Sequence, residues 1–266
     1  MKKRPVFLLS LMTFMAMCVP AFSAAAAGEE YSPAAGSWKL DAVYENSDAE
    51  HPVFLDREES QSLYGSGLNI LNFQEDGYAH DLAFEGQDMM DSDGRWKTMS
   101  ANVFQYEEEG MELTFTYDEE EDTLHRSFTD DNPEADYKNL DFVYTRAITG
   151  SWKLYKVLEI HPGDAPVELS REENQSRYGS AENVLTFFNQ EKKTCELVKD
   201  GADSVEVEGK WEMTAPDVYL YTQDGTELEF HYFCLDDTIS YDVKEENAEP
   251  EQPYLSFIYS RCETPA

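Results

Sequence analysis

The chain of 266 residues carries 55 Asp and Glu against 20 Lys and Arg, a formal net charge of −35. A surface so negative repels nucleic acid and anionic lipid, which excludes both as expected partners. The length suits one large domain or two of ordinary size, either of which can bury a core.

Lys2, Lys3 and Arg4 precede an apolar run from Val6 to Val19, and small residues from Ser23 to Ala27 come next. That order reads as a secretory signal peptide over residues 1–27 with A-x-A-like cleavage positions. The run is short for a membrane span and no second one appears later, so the mature protein is expected to be secreted, soluble and not inserted in a membrane. Its net charge becomes −38, from 17 basic and 55 acidic groups. Cys18 is not read as a lipid-attachment site, because Met17 stands where such a signal needs a small residue. Residues 28–35 hold turn-formers without periodicity and read as a short leader.

Gly36-Ser37-Trp38-Lys39-Leu40 then returns unchanged as Gly150-Ser151-Trp152-Lys153-Leu154, an offset of 114. The chain is therefore two copies of one domain, over residues 36–146 and 150–261. Short stretches rich in β-branched and aromatic residues succeed one another between turn signals, and in the first copy they predict eight strands. These are Trp38 to Tyr44, Leu68 to Phe73, Tyr78 to Phe84, Trp96 to Met99, Val103 to Tyr106, Met111 to Tyr117, Leu124 to Phe128 and Leu140 to Arg146. Met111, Leu113, Phe115 and Tyr117 alternate with Glu112, Thr114 and Thr116, the pattern of a strand with one buried and one wet face.

Eight short antiparallel strands are most economically an up-and-down β-barrel, since closure removes the exposed edges; a two-sheet sandwich is the alternative. Later matches, such as Gly94-Arg95-Trp96 with Gly209-Lys210-Trp211, sit at an offset of 115. The added residue is expected in the loop-like stretch Lys199 to Ser204. Only Ala147, Ile148 and Thr149 separate the copies, which leaves little room for a flexible tether.

Between the first two strands of each copy, residues 57–66 and 171–180 agree at eight of ten positions. Asp56 and Ser170 can cap a helix, Glu59 and Glu173 can complete a capping box, and Gly65 and Gly179 suit its exit, so a two-turn helix is predicted in each copy. Arg57, Gln61 and Tyr64 share one face of it, as do Arg171, Gln175 and Tyr178. They are expected either to form a lid that binds the polar end of a ligand, or to be a structural plug whose polar groups are satisfied within the protein. Inward aromatics Phe115, Tyr117, Phe142 and Tyr144, with Phe230, Tyr232, Phe257 and Tyr259, either line an apolar cavity or simply pack the core.

No motif supplies a nucleophile with its base. His51, His80, His125, His161 and His231 occupy no equivalent positions in the two copies. Asp91-Ser92-Asp93-Gly94 imitates the end of a calcium loop, but Met89 stands where its first ligand should be, so an EF-hand is rejected. Cys195, Cys234 and Cys262 match no zinc spacing; they make one bridge with a thiol left over, or none. Neither an enzyme, a cofactor nor a metal site is expected.

All four tryptophans stand in Gly-x-Trp, at Trp38, Trp96, Trp152 and Trp211. A Gly-x-Trp on the first strand, eight strands, and an arginine ending the last resemble the lipocalin and wider calycin families, above all the short lipocalin-like domains of secreted bacterial proteins. The resemblance implies that Trp38 and Trp152 each plug one end of a barrel, with Arg146 and Arg261 packed over their rings. It also implies a non-enzymatic binder of a small lipophilic or amphipathic molecule. The mid-barrel loop motifs of larger lipocalins are missing and each copy is shorter, so the cavity is expected to be small. The alternative is a pair of filled barrels acting as an interaction module, recognising a protein partner or a cationic surface through acidic exteriors.

Overall fold

The computed structural model describes residues 31–46, 52–55, 68–85, 88–129, 139–170, 172–173, 184–200, 203–244 and 252–262. The expected signal peptide lies outside them. The chain divides into two compact units, one ending at Thr149 and one taking up the chain from Gly150.

In the first unit the strands are β1 (Gly36–Glu45), β2 (Val53–Phe54), β3 (Leu68–Phe73), β4 (Tyr78–Glu85), β5 (Asp88–Ser100), β6 (Val103–Glu108), β7 (Met111–Asp118), β8 (Thr123–Thr129) and β9 (Asn139–Arg146). In the second they are β10 (Gly150–Ile160), β11 (Val167–Glu168), β12 (Val184–Phe187), β13 (Lys193–Asp200), β14 (Asp203–Ala215), β15 (Val218–Gln223), β16 (Thr226–Phe233), β17 (Thr238–Val243) and β18 (Tyr254–Arg261). Apart from the two-residue β2 and β11, each unit has eight antiparallel strands in chain order, and pairing of β1 with β9 and of β10 with β18 closes the ring. Both are closed eight-stranded barrels.

The Gly-x-Trp glycines have two separate physical reasons. Gly36 and Gly150 take φ of 100° and 118°, a region that side chains strain to enter. A Cβ on Gly94 would run into the Tyr106 ring and reach 2.8 Å from Glu107 O, and one on Gly209 would lie 2.6 Å from Thr194 Oγ1. Both first strands carry a β-bulge at the same place, between Leu40 and Ala42 and between Leu154 and Lys156. The bulge resets the alternation, so Trp38 and then Val43 both face the core, exposed by 0% and 1%.

Two expectations need correction, and a third, the short helix between the first two strands, lies in the first unit outside the described residues. The extended β2 follows β1, pairing Tyr44 with Phe54 and Glu45 with Val53, and beyond it Leu55 donates to Val43 O at 2.9 Å. In the second unit Ser170 and Glu173 do exchange capping-box hydrogen bonds, Glu173 N to Ser170 Oγ at 3.2 Å and Ser170 N to Glu173 Oε2 at 3.0 Å. Among the described residues of that stretch Glu172 and Glu173 are helical, and the rest of the expected helix lies outside them.

The added residue is placed elsewhere. Phe73 pairs with Ala79, and Phe187 with Thr194, so the extra position falls in the turn 188–193, where a 3-10 turn (Gln190–Lys192) sits. Lys199 and Ser204 are instead paired strand residues. Finally, β5 begins at Asp88 rather than Trp96, because the mostly polar stretch before the tryptophan pairs along β4 from Glu85 to Tyr78. Its polar residues hide the alternation that would reveal a strand.

Candidate functional site

One end of each barrel is sealed as the resemblance implied. The guanidinium of Arg146 lies 3.7 Å from the Trp38 ring centroid, and that of Arg261 lies 4.2 Å from Trp152. Arg146 donates to Asp122 Oδ1 at 3.1 Å, to Ala35 O at 3.0 Å and to Pro33 O at 2.8 Å. Trp38 Nε1 donates to Ala34 O at 2.8 Å. The leader residues 33–35 thus belong to the seal, a role their lack of periodicity could not disclose. Arg261 grips Asp237 through two nitrogens, at 2.7 and 2.8 Å, a fork that orients the guanidinium over the indole.

Tyr117 and Tyr232 stand at this seal. Each meets its tryptophan edge-on at 6.1 Å, and their hydroxyls donate to Asp122 at 3.1 Å and Asp237 at 3.0 Å. Burial first, and then Asp122, push the Tyr117 phenol up to about 12. Tyr232 is pushed the same way by burial and then Asp237.

Phe115 and Tyr144 lie mid-barrel, packed at 5.9 Å, with Phe73 5.7 Å from Phe115. Phe230 and Tyr259 repeat this at 6.1 Å, with Phe187 5.6 Å from Phe230. These edge-to-face contacts are the preferred aromatic packing and fill the middle of each barrel. Burial also holds the Tyr259 phenol well above its ordinary value.

Beyond the aromatics, away from the seal, polar side chains enter the first barrel. Arg126 comes two residues after the core residue Leu124, and its guanidinium lies 4.0 Å over the Phe142 ring. Its Nε is buried and donates to no group among the described residues. Asp81, two residues after the core residue Ala79, is raised to about 6 by burial and then by Glu108, while Arg126 pulls it down. Tyr106 donates to Glu108 Oε2 at 2.8 Å.

The second barrel places Glu196, Tyr221, Gln223 and Tyr241 at the positions of Asp81, Tyr106, Glu108 and Arg126. Tyr241 stacks flat on Phe257 with centroids 4.9 Å apart, where the first barrel sets Arg126 on Phe142. Tyr221 donates to Gln223. These interior polar positions are not motifs, and only strand parity in a paired register finds them.

The lid residues Arg57, Gln61, Tyr64, Arg171, Gln175 and Tyr178 lie outside the described residues. No disulfide joins Cys195, Cys234 or Cys262 among the described residues. On the outer face of the first barrel, His125 Nε2 is 3.0 Å from Thr123 Oγ1 and His125 Nδ1 is 3.0 Å from Asp141 Oδ2. The hydrogen bond that His125 makes to Asp141 raises the His125 pKa against the opposing effect of burial. The order hydroxyl, imidazole, carboxylate imitates a nucleophilic relay, but Thr123 is only 3% exposed, inside a strand, where no substrate reaches its oxygen. One further group of side chains that could hold a metal, His80, Asp91 and Asp93, also lies outside the barrel.

No family model matches the chain. No curated protein matches it. Among solved structures, it is similar to a protein of unknown function from the DUF3598 family of Nostoc punctiforme PCC 73102, at 9% identity, covering 88% of this chain and 100% of that one, with a TM-score of 0.21. A likeness that slight carries no argument about fold or activity.

Proposed function

We propose that this protein is a secreted, lipocalin-like binder that takes up a small, partly apolar molecule without changing it, at the end of each barrel away from the Trp38 and Trp152 seals. The observation that supports this reading is the set of interior polar groups around Arg126. A buried guanidinium nitrogen and a desolvated carboxylate are costly unless they are paired, and proteins pair such groups internally almost everywhere. Here Arg126 Nε has no partner among the described residues, and Asp81 is lifted to about 6. A ligand with an apolar body against Phe142 and a polar end toward Arg126 and Asp81 suits both.

The second reading, a filled barrel recognising a protein or cationic surface through its acidic exterior, is favoured by the mid-barrel packing of Phe73, Phe115 and Tyr144. The two readings separate in one experiment. Native mass spectrometry of the secreted protein, with solvent extraction of any bound molecule, is expected to find a small amphipathic ligand whose retention falls in Arg126→Ala. An empty protein that also fails to take up a panel of lipophilic probes, while binding cationic partners in a salt-sensitive way, would overturn the carrier.

A further inference from the structure

Asp91-Ser92-Asp93-Gly94 runs extended inside β5, so Asp91 and Asp93 stand on one face, two residues apart. Across the hairpin Asp93 pairs with His80 and Asp91 with Leu82. Ala79 is in the core at 1% exposure, so His80 and both aspartates face outward. His80 Nδ1 lies 2.9 Å from Asp93 Oδ1 and 3.2 Å from Asp91 Oδ1. One donor atom from each of the three residues comes within 4.8 Å of the other two.

An imidazole nitrogen carries at most one proton, and that proton cannot serve two carboxylate oxygens fully. Gathering two carboxylates on one nitrogen also works against repulsion in a chain of net charge −35. A divalent cation among the three removes both difficulties. Bonds of about 2.0–2.2 Å to nitrogen and oxygen set octahedral donor-to-donor edges of about 2.8–3.1 Å and tetrahedral ones somewhat longer, the range in which the His80 contacts fall.

We propose that His80, Asp91 and Asp93 bind a first-row divalent transition ion of the zinc or manganese class on the outer face of the first barrel. The imidazole selects against calcium and magnesium, which prefer all-oxygen sites, and three protein ligands leave positions for water or an exchanging group. Arg95, two residues beyond Asp93, is stacked on the Tyr78 ring with its guanidinium 3.4 Å from the centroid. The corresponding positions in the second barrel are Cys195, Glu206 and Glu208, in the same register. Metal-ligating residue types recur there, but among the described residues only the His80 group is gathered. The ion therefore selects the first barrel.

The test is calorimetric titration of the purified full chain with zinc chloride and, separately, manganese chloride, in excess magnesium to occupy diffuse acidic sites. One ion per chain is expected, with affinity falling at least about tenfold in His80→Ala and in Asp91→Asn/Asp93→Asn, and unchanged in Glu206→Gln/Glu208→Gln. Circular dichroism checks that each variant folds. Selective broadening of the His80 ring protons by manganese in the unmodified protein gives an independent readout. Superimposable titrations of the parent and His80→Ala, broadening spread over many acidic sites, or equal competition by magnesium would each overturn the proposal.

Discussion

The two barrels differ most where their registers agree best. Arg126 opposes Phe142 and Tyr241 opposes Phe257 at equivalent rungs of the last two strands, yet one contact is a cation over a ring and the other is ring on ring. The seals at Trp38 and Trp152, by contrast, share an arginine over the indole and an aspartate that holds it. Closure and the seal therefore set the shared architecture, while the interior beyond the aromatics is free to change its charge. Arg126, Asp81 and Glu108 in the first barrel answer to Tyr241, Glu196 and Gln223 in the second. Two copies of one fold thus present an interior with three charged side-chain types and one with a single carboxylate.

The largest expected effect tests what the copies share. Arg146→Ala should cost about 3–5 kcal/mol, because it takes from the half-buried Asp122 carboxylate its cation and from the leader carbonyls their donor. Arg261→Ala should cost less, since its side chain is 16% exposed against 2% for Arg146. Urea denaturation of the two variants checks this, and equal losses would contradict it.

The next effect tests the charged interior. Asp81 has its folded pKa raised from 3.8 to about 6 by burial, so the folded state holds its proton more tightly than the unfolded chain. Stability from this group is therefore greatest below pH 4, declines as pH rises toward 6, and stays low above it. Asp81→Asn should be more stable than the parent at pH 8 by about 1–2 kcal/mol, with the gain vanishing in acid, as thermal melts across pH would show.

A smaller shift tests the contrast with Tyr241. Arg126→Tyr rebuilds the second barrel's contact in the first and removes the cation that pulls Asp81 down, so the Asp81 titration should move above its value of about 6. Carboxyl carbon NMR reads this, and an unmoved titration would separate the two residues. The smallest effect belongs to His125, whose place the second barrel gives to Ser240. Its raised pKa stabilises the fold below the imidazole's ordinary range, and the benefit is lost as pH rises through the folded value. His125→Gln should therefore cost roughly 0.5 kcal/mol at pH 5.5 and nothing at pH 8, a difference that melts at the two pH values would read.

Legibility in the sequence divides along the same line. The repeat and the barrel are written in aromatic alternation and in residues with no substitute, such as Gly36 at its positive φ, while the pairing of Trp38 with Arg146 was legible only through a family resemblance. Polar stretches are mute. The start of β5, the inward aim of Asp81 and Arg126, and the meeting of His80 with Asp91 and Asp93 depend on which strand lies beside which and in what register, and hydropathy carries no trace of that. The sealing role of Pro33, Ala34 and Ala35 was hidden for a related reason: they act through backbone carbonyls, which every residue type possesses.

Those carbonyls precede the first strand, and the guanidinium they receive ends the last one. The seal of the first barrel is thus a latch between the two extremes of one folding unit, joining Pro33 to Arg146. A growing chain cannot engage it until Arg146 has been made, so every earlier hairpin must wait unlatched. Trimming a few residues from either extreme would release the same bolt.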